Sequence, residues 1–169
     1  MEMAIDYYKV ASDEYVKSLP EDFKKNNGVF YTDVSLANKM FCAIKKHLSA
    51  DSIIVDPCCG VGVFLVAANK NGFINTYGLD IDKGAINICV ANIPQSKFST
   101  CDFLGMEVED SLSRLSLIDK VDCIIGNPPY VPLTRKIKLN GQYTFRRQVS
   151  DMGNNLFIAA ILRSLSLLK

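Results

Sequence analysis

Apolar residues recur at helical spacing in two stretches of the first fifty positions. The first stretch runs from Glu2 until Pro20 interrupts it, and it predicts an amphipathic N-terminal helix. Glu21 to Gly28 is polar and ends in an Asn-Asn-Gly turn. A second helix is predicted from about Val34 to Leu48. Its candidate caps are Thr32, Asp33 and Ser35, and its expected inward stripe is Leu36, Met40, Ala43, Ile44, His47 and Leu48.

From Ser52 onward, short apolar runs alternate with longer stretches at helical spacing. Short runs of this kind are typical of buried parallel strands. The predicted strands are residues 53–55, 76–79, 97–100 and 121–125, and the predicted helices begin near 63 or span 83–91, 105–117 and 154–168. This alternation predicts an α/β fold, a doubly wound parallel sheet whose ligands bind beyond the carboxyl ends of the strands.

The tetrapeptide Asn127-Pro128-Pro129-Tyr130 ends the last of these strands. Proline cannot donate to a sheet and restricts the residue before it, so a rigid extended loop is expected there. The Asn127 side-chain oxygen and the Pro128 carbonyl form a fixed row of acceptors beside an aromatic ring. An amino group on a purine, or a carboxamide, could donate both hydrogens to that row while its plane lies against Tyr130. The alternative is a surface turn, because Asn-Pro is a common turn signal.

The loop after the first strand, Asp56 to Gly62, contains two glycines that let a backbone approach a ligand closely. The helix that follows offers free N–H groups, which favour a negative group nearby. A Gly-x-Gly turn alone is a weak signal, shared by many nucleotide-binding proteins.

Acidic residues follow the next two strands. Asp80 ends the second strand, where a carboxylate can bind both hydroxyls of a ribose, whereas Asp82 is expected to cap the next helix. Asp102 could accept a hydrogen bond from an adenine amino group while Phe103 packs on the ring. Alternatively, Asp102 only caps the helix after it.

Composition sets the outer limits. The chain has 169 residues, is 49% hydrophobic and carries a formal charge of +1, so it suits one domain, and any basic surface must be local. Six scattered cysteines without metal-site spacing predict free thiols in a reducing compartment, and no metal is expected. The absence of a signal peptide or a long apolar run predicts a cytoplasmic protein without a membrane span.

These loops, in this order, resemble the S-adenosylmethionine-dependent N6-adenine DNA methyltransferases of restriction-modification systems, over nearly the whole chain. Gly28 to Thr32 looks like the family segment that touches the methionine part of the cofactor, and the Asp56 to Leu65 stretch is similar to its glycine-rich loop. Asp80 resembles the ribose-binding acid, and the Asn-Pro-Pro-Tyr segment resembles the catalytic loop. The resemblance implies catalytic roles for Asn127, Pro128, Pro129 and Tyr130, and cofactor binding by Tyr31, Thr32, Asp56, Pro57, Cys58, Gly60, Gly62, Phe64, Asp80, Ile81, Asp102, Phe103 and Asn127.

The resemblance also implies a Rossmann-like sheet of the class I methyltransferase type, S-adenosylmethionine as cofactor and double-stranded DNA as substrate. The target adenine would leave the duplex, and Tyr130 would stack on it, contributing on the order of 1–3 kcal/mol. A basic stretch after the loop could neutralise phosphates, or it could be a solvated loop. This stretch comprises Arg135, Lys136, Lys138, Arg146 and Arg147, interleaved with Tyr143 and Phe145.

The family pattern continues past Lys169 with further strands and a target-recognition region. We therefore expect an N-terminal helical extension (residues 1–50) and a partial catalytic domain (51–169). A second chain or a C-terminal part would supply the further strands and the target-recognition region. The alternative is a truncated gene whose product transfers no methyl group. The last helix should then leave an apolar patch exposed. The expected patch consists of Leu156, Ile161, Leu162, Leu165 and Leu168.

Two alternative functions remain at this point. A protein glutamine N5-methyltransferase shares the Asn-Pro-Pro-Tyr segment, because a carboxamide is also a planar amine. The other alternative is a non-catalytic cofactor-binding fragment or interaction subunit.

Overall fold

The computed structural model describes residues 2–28, 30–105, 107–133 and 149–169. Within these residues lies a parallel sheet of four strands, in the order β3-β2-β1-β4. The register pairs Ile54 with both Thr76 and Cys123, and Tyr77 with Lys97. The strands are β1 (Ile54–Asp56), β2 (Thr76–Asp80), β3 (Lys97–Thr100) and β4 (Cys123–Ile124).

Helices connect the strands and precede the sheet. They are α1 (Glu2–Ser18), α2 (Glu21–Asn27), α3 (Val34–Ile44) with a 3₁₀ turn at Lys45–His47, α4 (Val63–Lys70), α5 (Lys83–Asn92), α6 (Val108–Arg114) and α7 (Leu156–Leu167). Parallel neighbours joined through helices form the predicted doubly wound α/β arrangement, which is confirmed.

Alternate residues of β1 face opposite layers of the molecule, as the two-residue period of a strand requires. Ile54 packs in a cluster with Phe41 of α3 and with α4, whereas Val55 packs in a cluster with Leu112 of α6 and with α7. The sheet therefore has helices on both faces, and its carboxyl edge remains open for the loops.

The helix boundaries before the sheet differ from the sequence prediction. Residues 21–27 form a short helix where only a polar segment and a turn were expected, because Gly28 takes a left-handed φ of 60° and closes it. Asp33 is the cap of α3, accepting hydrogen bonds from the N–H groups of Ser35 and Leu36.

The predicted inward stripe of α3 was wrong. Ala37 and Phe41 are fully buried, while Leu36 and Met40 are 51% and 43% exposed, and Ala43 and His47 are also exposed. Ile44 and Leu48 pack partly, as expected. Helix α3 packs against α4, and this contact determines which face of α3 is buried. The composition of α3 alone does not specify that face.

The expected apolar patch on α7 is smaller than predicted. Leu156, Leu162 and Leu168 pack against the core, leaving Ile161 and Leu165 exposed at 41% and 59%. The last helix before β4 is also shorter than predicted, spanning Val108–Arg114.

The six cysteines are unpaired, and four of them are buried. Among the described residues, no helix is long and apolar enough to cross a membrane.

Candidate functional site

The loops at the carboxyl ends of the four strands surround one cavity of about 780 Å³. Gly28 and residues 30–32, which follow α2, line one side of it. Of the residues predicted for the site, the cavity is lined by Tyr31, Thr32, Asp56, Pro57, Cys58, Gly60, Phe64, Asp80, Ile81, Asp102, Phe103, Asn127 and Pro129. Gly62, Pro128 and Tyr130 lie outside this lining.

Asp80 ties the glycine loop to the end of β2. One of its carboxylate oxygens accepts a hydrogen bond from the Gly60 N–H at 2.7 Å, and the other accepts one from the Asp82 N–H at 2.9 Å. Burial raises the pKa of Asp80. Asp82 caps α5 as predicted, accepting from the N–H groups of Gly84 and Ala85. The carboxylate of Asp80 thus stands at the cavity wall in a fixed orientation.

Gly62 serves the packing of the loop. It caps α4 with a φ of 85°, and a Cβ built there would lie 2.6 Å from Ile93 and 3.0 Å from the Cys89 sulfur. The close approach that requires glycine at this position is to the protein's own core.

Asp56 is a buried carboxyl at the end of β1, 1% exposed. Its Oδ1 accepts a hydrogen bond from the Cys58 N–H at 3.2 Å, while its Oδ2 has no hydrogen-bond partner. Burial raises the pKa of Asp56 well above the usual value of an aspartate. Burial therefore disfavours the charged form of this carboxyl at the floor of the cavity.

This burial predicts a pH dependence of stability. The folded-state pKa of Asp56 exceeds the unfolded value of about 3.9, so the free energy of unfolding should fall as pH rises from about 4 to the folded-state pKa. The slope for one group is at most about 1.4 kcal/mol per pH unit. Urea unfolding between pH 4 and 8, without ligand, should show a flatter profile for Asp56→Asn than for the wild type. The exposed Asp51, changed to Asn, is the control, and an unchanged profile in Asp56→Asn would contradict the prediction.

Asp102 and Phe103 follow β3. The exposed Asp102 accepts hydrogen bonds from the N–H groups of Leu104 and Gly105, at 3.1 and 3.0 Å. These bonds close a turn ahead of α6, but the N-cap of α6 is Glu107, so the capping alternative for Asp102 was wrong. Phe103 is 3% exposed and belongs to the core cluster beneath the cavity.

The Asn127 to Tyr130 loop spans the rim of the cavity. The Asn127 amide nitrogen lies 3.1 Å from the Phe30 carbonyl and 3.3 Å from the Thr32 hydroxyl. Pro129 lines the cavity, and Pro128 lines a smaller groove beside it.

The Tyr130 ring belongs to an aromatic cluster that sequence reasoning missed. It stacks on Phe157 of α7 with centroids 4.9 Å apart and planes 18° from parallel, and it meets the Phe30 ring edge-on at 6.3 Å. Tyr130 remains 49% exposed. Because Phe157 occurs in an apolar helical run, its sequence context indicates only core packing.

Helix α1 holds the cavity wall through two tyrosines, which the sequence analysis also missed. The buried Tyr8 hydroxyl donates to the Val61 carbonyl at 3.1 Å, and the Tyr15 hydroxyl donates to the Asp82 carboxylate at 2.6 Å. Both tyrosines occur in a helical pattern, which gives no signal for a polar partner more than fifty residues away.

The predicted basic stretch, residues 135–147, lies outside the described residues. Among the described residues, no group of three or more His, Cys, Asp and Glu side chains could hold a metal ion.

Comparison with known proteins agrees with this geometry. The family profile of the N-6 DNA methylases matches residues 11–167. The chain belongs to the N-6 DNA methylase family. Its resemblance to the N6-adenine DNA methyltransferases is thereby confirmed.

Two type II methyltransferases illustrate the relationship. The type II methyltransferase M.VspI of Vibrio sp. (strain 343) is 36% identical over 127 residues, which are 70% of this chain and 29% of that protein. The type II methyltransferase M.BanIII of Aneurinibacillus aneurinilyticus is 36% identical over 131 residues, which are 64% of this chain and 23% of that protein. The chain therefore spans about a quarter of the length of these relatives.

A solved structure extends the comparison to the fold. A modification subunit proposed for a type I restriction enzyme of Vibrio vulnificus YJ016 superimposes with a TM-score of 0.56 at 19% identity, covering 81% of this chain and 31% of that one. The N-6 DNA methylase chain thus has the Rossmann-like fold of class I methyltransferases.

Proposed function

We propose that this chain carries the cofactor-binding and catalytic part of an enzyme that transfers a methyl group from S-adenosylmethionine to the N6 amino group of adenine in DNA. The observation that carries the proposal is the position of Asn127. Its amide nitrogen is held by Phe30 and Thr32, so its oxygen is left as an acceptor at the rim of the cavity. Family membership supports the same reaction.

The residues present fit S-adenosylmethionine. A cavity of about 780 Å³ is within the range of small-molecule sites. The Asp80 carboxylate would hold the ribose hydroxyls, and Asp102 would accept from the adenine amino group. Asp56, with a buried oxygen that lacks a partner, would accept from a cationic group of the methionine part. The bound cofactor supplies a methyl group made electrophilic by a sulfonium.

The Asn-Pro-Pro-Tyr loop would orient the substrate amine. The lone pair of the adenine amino nitrogen is drawn into the ring, so the amine is a weak nucleophile while it is planar. Two acceptors, the Asn127 oxygen and the Pro128 carbonyl, would bind its two N–H groups and favour a tetrahedral nitrogen. Holding that nitrogen in line with the methyl group would lower the barrier further, because the reacting atoms are already oriented. The amine loses its proton after the attack.

Tyr130 would hold the flipped base. Phe157 covers one face of its ring, and the ring remains about half exposed, so the other side is assigned to the adenine. Stacking of a base on an aromatic ring contributes about 1–3 kcal/mol.

The proposal includes a further segment, in a longer form of this chain or in a second chain, that carries the remaining strands and target recognition. Strand β4 lies at the edge of the described sheet. An apolar groove of about 240 Å³ runs beside it, bounded by Ile124 and by α7 residues that include Ile161 and Leu165. Such a groove suits the apolar side chains of an added strand.

The test is transfer of labelled methyl groups from S-adenosylmethionine to unmethylated DNA, by the chain alone and mixed with the product of the next reading frame. Label at adenine N6 in either reaction would support the proposed chemistry. Label in the mixture alone would also support the second segment. Label on a protein glutamine, or none in either reaction despite intact folding, would overturn the proposal.

The groove allows a matched pair of surface variants. Leu165 on α7 and Val90 on α5 are both 59% exposed. A charge at Leu165 would have to be desolvated under the added segment, so Leu165→Glu should reduce co-purification with the downstream product at least tenfold, and Val90→Glu should not. Equal retention by both variants would place the partner elsewhere.

A further inference from the structure

The side-chain amide of Asn127 is fixed by residues nearly a hundred positions earlier in the chain. Its nitrogen contacts the Phe30 carbonyl at 3.1 Å and the Thr32 hydroxyl oxygen at 3.3 Å. An amide nitrogen has two hydrogens, and the two contacts use both of them.

The chemistry of the Phe30 carbonyl allows only one orientation of the amide. A backbone carbonyl has no hydrogen to donate, so Phe30 can face only the NH₂ side of Asn127. Rotating the amide by half a turn would place its oxygen against the Phe30 carbonyl oxygen and break that hydrogen bond, whereas the Thr32 hydroxyl can either accept or donate. The Asn127 oxygen must therefore point away from Phe30.

We infer that the Phe30 carbonyl and the Thr32 hydroxyl are positioning groups, which hold the Asn127 amide so that it presents only an acceptor to the substrate amine. This inference rests on the proposed function. In the opposite orientation, the Asn127 NH₂ would face the N–H groups of the target, and two donors cannot bind each other. Thr32 thus acts through Asn127, a different role from the cofactor contact that the sequence resemblance implies.

Cofactor affinity separates the two roles of Thr32. A residue that binds the methionine part should weaken cofactor binding when its hydroxyl is removed. A residue that orients Asn127 should leave cofactor binding nearly unchanged and lower the rate of transfer. The loss of one neutral hydrogen bond predicts a fall in kcat of about fivefold.

The test compares Thr32→Val, which keeps the shape and removes the hydroxyl, with Thr32→Ser, which keeps the hydroxyl. In protein labelled with ¹⁵N-asparagine, the side-chain signals of Asn127 are assigned by their loss in Asn127→Asp. Thr32→Val should shift these signals and speed their hydrogen exchange, and Thr32→Ser should restore them. The dissociation constant of S-adenosylmethionine, from calorimetry, should change less than twofold in both variants.

The outcomes are distinguishable from those of the methyl-transfer test. Asn127 signals that do not move in Thr32→Val, or a tenfold loss of cofactor affinity, would overturn the positioning role. If the wild type transfers no methyl group, either alone or mixed with the downstream product, the proposed function fails. The amide signals still report whether Thr32 fixes Asn127. Should Thr32→Val fail to fold, signals in Thr32→Ser that differ from those of the wild type would contradict the inference.

Discussion

Replacing Asn127 with alanine is expected to lower methyl transfer by about 10²- to 10³-fold, the usual effect of removing one preorganised group that stabilises a transition state. The alanine variant loses the side-chain amide acceptor of the tetrapeptide, while the Pro128 carbonyl remains. The loss of cofactor affinity, as a fold-change, should be at least ten times smaller than the loss of transfer rate, because the loops after β1, β2 and β3 stay in place. Single-turnover transfer and calorimetric titration of the cofactor measure the two quantities.

Asn127→Asp gives a sharper comparison. The aspartate keeps an acceptor for the substrate but puts a second oxygen against the Phe30 carbonyl, where the wild type has an amide hydrogen. We therefore expect Asn127→Asp to lose transfer as well and to disturb the loop. The exposed Asn87 on α5, changed to alanine, is the control. Transfer above half the wild-type rate in Asn127→Ala would mean that the tetrapeptide does not bind the substrate amine.

Replacing Gly28 with alanine is expected to displace the catalytic loop. A Cβ at Gly28 would lie 2.9 Å from the Tyr130 backbone nitrogen and 2.5 Å from the Val131 side chain. One of these atoms belongs to the backbone, so a rotamer change cannot relieve the contact. Transfer should fall more than tenfold, because a shift of about 1 Å in a substrate-positioning loop is costly.

Gly72→Ala separates this contact from backbone strain. Gly72 and Gly28 both have positive φ, 88° and 60°, but a Cβ at Gly72 meets nothing within 4 Å. Both variants should lose about 1 kcal/mol of unfolding free energy to the left-handed conformation. Only Gly28→Ala should also lose transfer and change the Tyr130 environment. Equal transfer rates for the two variants would show that the loop tolerates the displacement.

The strands and site loops were predictable because they depend on local chemistry. For β1, β2 and β4, short runs with apolar residues, followed by Asp, Gly or Pro, mark where the strand stops and a loop begins. The resulting parallel order then brings Asp56, Asp80, Asp102 and Asn127 to one edge of the sheet. The strands and their shared edge follow from the spacing of apolar residues and from the order of strands and helices, and both can be read from a single sequence.

The sequence predictions were wrong or incomplete where packing between residues far apart in the sequence determines the structure. Both faces of α3 carry apolar residues, and contact with α4 selects Ala37 and Phe41 over Leu36 and Met40. Phe157, Tyr8 and Tyr15 occur in ordinary helical patterns, and their partners are set by tertiary contacts alone. The orientation of Asn127 depends on Phe30 and Thr32, and no local pattern links these positions.

The bonds from Asn127 to Phe30 and Thr32 close loops of 97 and 95 residues. Contacts of such long sequence separation form late in folding, because the entropy of closing the loop is lost before the contact stabilises it. On the ribosome, a nascent chain that ends before residue 127 would contain the glycine loop and Asp80 without the partner that completes the rim. The catalytic half of the cavity therefore cannot form before β4 has joined the sheet.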